Sequence, residues 1–242
     1  MINPELSALL KQHLHNIQRT SVIVDDSDQF VDRYMALVDH PNSEQVAWID
    51  AFSNGQLNSK MWLIDQLGRF DLNLGKVWIM CGWIGTLAYL MLRRQNDLKF
   101  DSIHSFDIDP GCAELADTMN RPDVTDGWRF KASTLDVNLL EYHDFWWTTK
   151  KYNGEDELIC DSTDTIINTS CEHLDDFDAW YSKIPAGKFV VMQCSNHDDH
   201  AGHVNSMNSM FELSARARCS RVYYKGVLDC GTYERYMLIG RR

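Results

Sequence analysis

The stretch Lys76-Val77-Trp78-Ile79-Met80-Cys81-Gly82-Trp83-Ile84-Gly85-Thr86-Leu87 limits what this chain can fold into more than any other. An apolar run of strand length passes into a turn holding two glycines, and the residues after it have helical character. Downstream, Ile103-His104-Ser105-Phe106-Asp107-Ile108-Asp109-Pro110 reads as a second strand with an acidic residue at its tip. Strand, turn, helix and strand in that order form a βαβ unit, whose two strands run parallel.

The alternation continues to the end of the sequence. Strands are expected at 76–81, 102–107, 128–132, 164–169, 188–194, 221–228 and 233–240, and helices at about 85–95, 111–119, 174–184 and 204–217. Short β-branched or aromatic runs separated by helices predict an α/β, doubly wound, mostly parallel seven-stranded sheet. Asp229-Cys230-Gly231-Thr232 joins the last two strands as a hairpin, which makes the final strand antiparallel. The segment 137–163 is long for such a connection and reads as a lid-like loop.

Residues 1–74 are expected to form a helical N-terminal cap, and 75–242 the α/β domain. Leu6, Leu9, Leu10, Leu14 and Ile17 fall on one helical face, and Phe30, Tyr34, Leu37 and Val38 on another. Ser43 is expected to cap a third helix carrying Val46, Trp48, Ile49 and Phe52, ended by Asn54-Gly55. Leu57, Met61, Ile64 and Leu67 continue at helical spacing up to Gly68. The cap is expected to pack on the later sheet.

Composition narrows the partners. The 242 residues are 44% hydrophobic and 24% charged, as in a globular domain with a sizeable core. A net charge of -12, from 35 acidic against 23 basic residues, repels phosphate backbones, so a small-molecule substrate is favoured over nucleic acid. Seven cysteines without a C-x-x-C pair predict reduced thiols and a cytoplasmic setting. The N-terminus lacks a signal-peptide pattern, and the apolar stretch 77–92 falls short of a membrane span.

The chemistry is expected beyond the carboxyl ends of the parallel strands, at the point where strand order reverses. Gly82 and Gly85 let backbone approach a ligand closely. Asp107 lies 22 positions after Gly85, where a carboxylate accepts hydroxyls of a ribose in nucleotide-binding βαβ units. Asp109 is placed to cap the helix that begins after Pro110.

These features resemble the class I S-adenosylmethionine-dependent methyltransferases. The resemblance rests on Cys81-Gly82-Trp83-Ile84-Gly85, on Phe106-Asp107-Ile108-Asp109-Pro110, on Ile166-Ile167-Asn168-Thr169-Ser170-Cys171-Glu172-His173-Leu174, and on Ile184-Pro185-Ala186-Gly187-Lys188-Phe189-Val190-Val191. It covers about residues 75–242. It implies a Rossmann-like fold, S-adenosyl-L-methionine as cofactor, and methyl transfer by direct displacement to a small-molecule or exposed acceptor. It also implies a cofactor site drawn from Cys81, Gly82, Gly85, Asp107, Ile108, Ser133, Thr134 and Asn168. The turn departs from the family pattern: no acidic residue precedes it, and Trp83 stands between the glycines.

His173 is the expected general base, since imidazole titrates near neutrality. His197, His200 and His203 are read as a substrate-contacting loop. Their spacing of three is not the i, i+4 pair of a zinc helix, and no metal is assigned. Two other readings stay open: a nucleotide-binding oxidoreductase of Rossmann type, and a catalytically silent partner subunit with the methyltransferase fold.

Overall fold

The computed structural model describes residues 4–19, 27–94, 96–125, 127–150, 153–198 and 202–242. The chain begins with helices α1 (Pro4–Gln18), α2 (Ser27–Val38) and α3 (Asn54–Gly68). Strands and helices then alternate: β1 (Lys76–Met80), α4 (Thr86–Arg93), β2 (Ser102–Asp107), α5 (Pro110–Met119), α6 (Arg121–Thr125) and β3 (Phe130–Thr134). After β4 (Phe145–Lys150) and β5 (Asp156–Asp161) come β6 (Thr165–Asn168), α7 (Phe177–Lys183), β7 (Phe189–Ser195), α8 (Met210–Ala217), β8 (Arg221–Asp229) and β9 (Glu234–Arg241).

Seven strands form one sheet in the order β3-β2-β1-β6-β7-β9-β8. β3, β2, β1, β6 and β7 pair in parallel, and β9 inserts antiparallel between β7 and β8. The chain first steps outward from β1 to β3, then returns to the other side of β1 as β6. The switch point therefore lies between the carboxyl ends of β1 and β6. The Asp229–Tyr233 hairpin turn closes with a Cys230 N–H to Tyr233 carbonyl bond of 3.0 Å, and Gly231 takes φ +86°.

Side-chain alternation along the strands builds two cores. Val77 and Ile79 of β1, Ile103 of β2, Ile167 of β6 and Ile239 of β9 face the layer made by α1 to α5. Trp78 and Met80, Phe106, Ile166 and Leu238 face the opposite layer, which holds α7 and α8. The N-terminal helices share the first core with the sheet: Tyr34, Phe52 and Leu63 belong to the same buried cluster as Val77 and Ile167.

The structure departs from three expectations. No α-helix starts at Ser43; the segment forms turns and a 3-10 turn at Ile49–Phe52. Asn54-Gly55 does not end a helix but opens α3, because Ser53 caps it by accepting from the Gln56 N–H. Residues 137–163 are also not a structureless lid. Asp136 caps a 3-10 turn at Val137–Leu139, and β4 and β5 then pair antiparallel as a hairpin. Phe145 anchors the hairpin, its ring 5.7 Å from Trp78 and 5.2 Å from Phe106. The segment carried the signal, Phe-Trp-Trp-Thr-Thr, a run of aromatic and β-branched residues. No described helix is long and apolar enough to cross a membrane.

Candidate functional site

The turn after β1 is built from left-handed backbone. Cys81, Trp83 and Gly85 have φ of +51°, +50° and +72°. For a residue with a Cβ this conformation costs about 1–2 kcal/mol, so two such residues in one turn need compensation. The compensation comes from β2. The Gly82 N–H donates to the Phe106 carbonyl at 2.9 Å, and the Trp83 N–H donates to Asp107 Oδ2 at 2.8 Å. The other carboxylate oxygen, Oδ1, accepts from the Asp109 N–H at 3.1 Å. Asp107 thus ties the tip of β2 to the turn.

At either glycine a Cβ would crowd a neighbouring side chain. A Cβ at Gly82 would lie 1.9 Å from Ser105 Oγ. At Gly85 it would lie 2.7 Å from Asn120 Nδ2 and 3.1 Å from Ala116 Cβ, on top of the positive φ. Asn120, fully buried, donates to the Gly85 carbonyl at 3.2 Å and packs the helix start onto α5. Asp109 caps α5, accepting from the Gly111 N–H at 2.8 Å, with Pro110 at its first position.

The structure brings most of the sequence-predicted cofactor residues to one edge. Cys81, Gly82 and Gly85 lie past β1, and Asp107 and Ile108 past β2. Thr134 is exposed and in register with Asp107, and the Leu135 N–H donates to the Asp107 carbonyl at 2.8 Å. Ile108 is 70% exposed, an apolar side chain open to solvent beside a carboxylate. Ser133 is half-buried with its hydroxyl 2.8 Å from His104 Nε2. Asn168 ends β6 beside Met80 of β1 and is fully buried; its Oδ1 accepts from the Ser170 N–H at 2.8 Å, and its Nδ2 has no hydrogen-bond partner.

Burial is the main influence on the Asp107 carboxyl and, with Asp109's charge, raises it above the usual carboxylate range against the backbone N–H bonds. Burial, then the charges of Asp107, Glu172 and Asp136, push the Cys81 thiol up to about 12. Burial likewise holds the Cys171 thiol well above its ordinary value. Neither thiol is a nucleophile at neutral pH.

A second group of polar residues gathers past β6 and β7. Glu172 is 1% exposed, and its Oε1 accepts from Arg235 Nη2 at 3.1 Å and Ser195 Oγ at 3.4 Å. Arg235 Nη1 reaches the Thr169 carbonyl at 3.1 Å. From α3, the Ser59 hydroxyl donates to Gln193 Oε1 at 2.8 Å and Lys60 Nζ to Gln56 Oε1 at 2.6 Å. Burial, reinforced by the Arg235 charge and opposed by Asp50, lowers the Lys60 ammonium to about 7. Sequence reasoning noticed Glu172 without giving it a role, and it missed Lys60, Gln193 and Arg235 altogether.

His173 is exposed at the end of a 3-10 turn, Cys171–His173, with its ring centroid 4.7 Å from that of His203. His203 Nδ1 is hydrogen-bonded to the His197 carbonyl, and the His197 ring stacks on Tyr233 at 4.8 Å. Two of the three loop histidines, His197 and His203, therefore meet beside His173; His200 lies outside the described residues. A groove of about 510 Å³ at the opposite edge, bordered by Gly75, Asp101, Asp164 and Gly187, sits at the amino ends of the strands, away from this chemistry.

No protein-family model matches the chain, and no curated protein sequence matches it. Solved structures do. Magnesium protoporphyrin IX methyltransferase (ChlM) from Synechocystis PCC 6803 with bound SAM is 14% identical, with a TM-score of 0.54 over 87% of this chain and 90% of that one. The N-methyltransferase NodS from Bradyrhizobium japonicum WM9 with S-adenosyl-L-homocysteine is 11% identical, with a TM-score of 0.54 over 88% of this chain and 97% of that one. A chain of the Haloferax volcanii complex between the Trm112 methyltransferase activator and a methyltransferase is 14% identical, with a TM-score of 0.55 over 81% and 96%. With its strand order, its antiparallel β9 and these likenesses, the chain has the fold of the class I S-adenosylmethionine-dependent methyltransferases.

Proposed function

We propose that this protein is an S-adenosylmethionine-dependent methyltransferase that binds its cofactor on the Cys81–Gly85 turn and the tip of β2. The observation that carries this reading is Asp107, whose carboxylate is fixed to a left-handed turn at the switch point of the sheet. An ionised carboxylate offers about four acceptor positions; the Trp83 and Asp109 N–H groups occupy two of them, with the Ile108 N–H and the Cys112 thiol also directed at the group. The carboxylate suits the two hydroxyls of a ribose. Ile108 offers an exposed apolar face for the adenine, and Thr134 offers a hydroxyl near it. The SAM and S-adenosylhomocysteine named with ChlM and NodS support the same cofactor.

Methyl transfer from a sulfonium is a direct displacement, so the protein mainly aligns acceptor, methyl and sulfur and manages the acceptor's proton. The acceptor is a small molecule or an exposed group of a larger one. It approaches from the side of β6 and β7, where Glu172, His173, His203 and Arg235 gather.

Calorimetric titration with S-adenosylhomocysteine tests this. The wild-type chain binds it, and Asp107→Ala weakens binding at least about tenfold, the loss of one to two hydrogen bonds to a charged group. Circular dichroism of the variant checks that the overall fold is kept. Equal affinity in the folded variant, or preference for a nicotinamide cofactor, would rule the reading out.

A further inference from the structure

We propose that Glu172, His173 and His203 form a binding site for one divalent transition-metal ion, of the class that accepts imidazole and carboxylate together, such as zinc, cobalt or manganese. One potential ligand atom from each residue lies within 4.8 Å of the other two. Three atoms so placed lie within about 2.8 Å of a common centre, against metal–ligand bonds of about 2.0–2.2 Å. Closing the difference takes side-chain shifts of under about 1 Å, within reach of small torsional adjustments.

The carboxylate is the informative member. Glu172 is 1% exposed, yet its Oε2 has no hydrogen-bond partner while Oε1 is held by Arg235 and Ser195. Leaving a buried charged acceptor without a partner is unfavourable, because the lost hydration is not replaced. A cation at the cluster removes that cost. The Arg235 and Ser195 bonds then act as supports that fix one oxygen and leave the other to coordinate.

The two histidine segments are also locked together. The Val204 and Asn205 N–H groups both donate to the Glu172 carbonyl at 3.0 Å, and Asn205 Nδ2 donates to the Leu174 carbonyl at 3.1 Å. Gly202, at φ +89°, lies against the His173 ring, where a Cβ would sit in ordinary contact at 3.4 Å from Nδ1. Because His203 Nδ1 faces a carbonyl, which only accepts, it carries the ring proton, and Nε2 is the basic nitrogen of the neutral ring. A backbone carbonyl orienting a ligand histidine is a common support at metal centres. Two imidazoles and one carboxylate select borderline transition metals over calcium or magnesium, and three protein ligands leave a position open.

What the open position does rests on the methyltransferase reading. The cluster stands on the acceptor side, near enough that the Glu172 charge raises the Cys81 thiol of the cofactor turn. An acceptor hydroxyl coordinated there loses its proton to water at a lower pH than when free. Its oxygen then forms the bond to the methyl carbon as the carbon–sulfur bond breaks, and the sulfonium leaves as a neutral thioether. In this role His173 is a ligand, not a free base.

The test uses untagged full-length protein stripped of metal by a chelator that is then removed, and titrated with cobalt(II) chloride. One equivalent is expected to bind with visible d–d absorption. His173→Ala and His203→Ala, both outside the buried core, should each weaken it at least about 100-fold, while exposed His143→Ala, outside the cluster, leaves it unchanged. Failure to bind cobalt, or binding that survives both cluster variants, overturns the site. S-adenosylhomocysteine is titrated into the same metal-free protein and should bind it. Loss of that binding with the cobalt site intact would count against the methyltransferase reading alone.

Discussion

Lys60 shows how a single side chain can report on the polar layer between α3 and the sheet. It is 8% exposed, and burial beside Arg235 brings its ammonium down to about 7 from 10.5. Between those two values the unfolded chain holds a proton that the folded chain lacks. Stability therefore rises with pH across that window, by up to about 1.4 kcal/mol per pH unit from this one group. Urea midpoints measured from pH 6 to 10 should climb in the wild type relative to Lys60→Met, and parallel curves for the two proteins would show that Lys60 is not the source. Not all of the site was equally visible at this scale. Asp107 and the two glycines were legible because their relation is local: a turn, a helix and the next strand fix the spacing. Glu172 and Arg235 were not. They stand 63 positions apart, and only the insertion of β9 beside β7 brings them together. Nothing around either residue in the sequence announces a buried ion pair.

At the scale of elements, the β4–β5 hairpin is held to the main sheet by a few side chains: Phe145, Trp147, whose ring lies 5.1 Å from that of His104, and Asp161, which accepts from Lys76 Nζ at 2.8 Å. The hairpin pairs only with itself, as a separate two-stranded sheet, and a lone hairpin is marginal in water. Phe145 docks it on Trp78, His104 and Phe106, with ring centroids 5.2 to 5.7 Å away. Phe145→Ala should speed hydrogen exchange across 145–161 while leaving β1 and β6 protected; uniform or unchanged exchange would show that the anchor lies elsewhere. Elements with strong periodicity were read correctly: the strands of the main sheet, α3 beyond Leu57, and the turn before β9. The misreadings fall where local preference was indecisive. Ser43 and Ser53 both suit a helix start, and tertiary packing of Trp48 and Phe52 against Tyr34 selects the second. The hairpin's aromatic run had strand composition, but its length suggested a loop.

Over the whole molecule, the sheet order puts two chemistries side by side at one edge. The β1–β2 tips hold the turn and Asp107; the β6, β7 and β9 ends hold Glu172, the histidines and Arg235. The parallel order could be anticipated from the alternation of strands and helices, and the antiparallel last strand from the short Asp229–Thr232 turn. The N-terminal helices were expected to pack on the sheet, and α1 to α3 share one core with it; which side chains meet there is set by packing that periodicity alone does not specify. The proposed cofactor site spans β1 and β2 at the carboxyl edge. Hydrogen exchange with and without S-adenosylhomocysteine locates it directly. Added protection is expected only at 81–87, 107–109 and 134–136, with no change at Gly75, Asp101 and Gly187 on the opposite edge. Protection at that opposite groove, or none anywhere under saturating ligand, would contradict it.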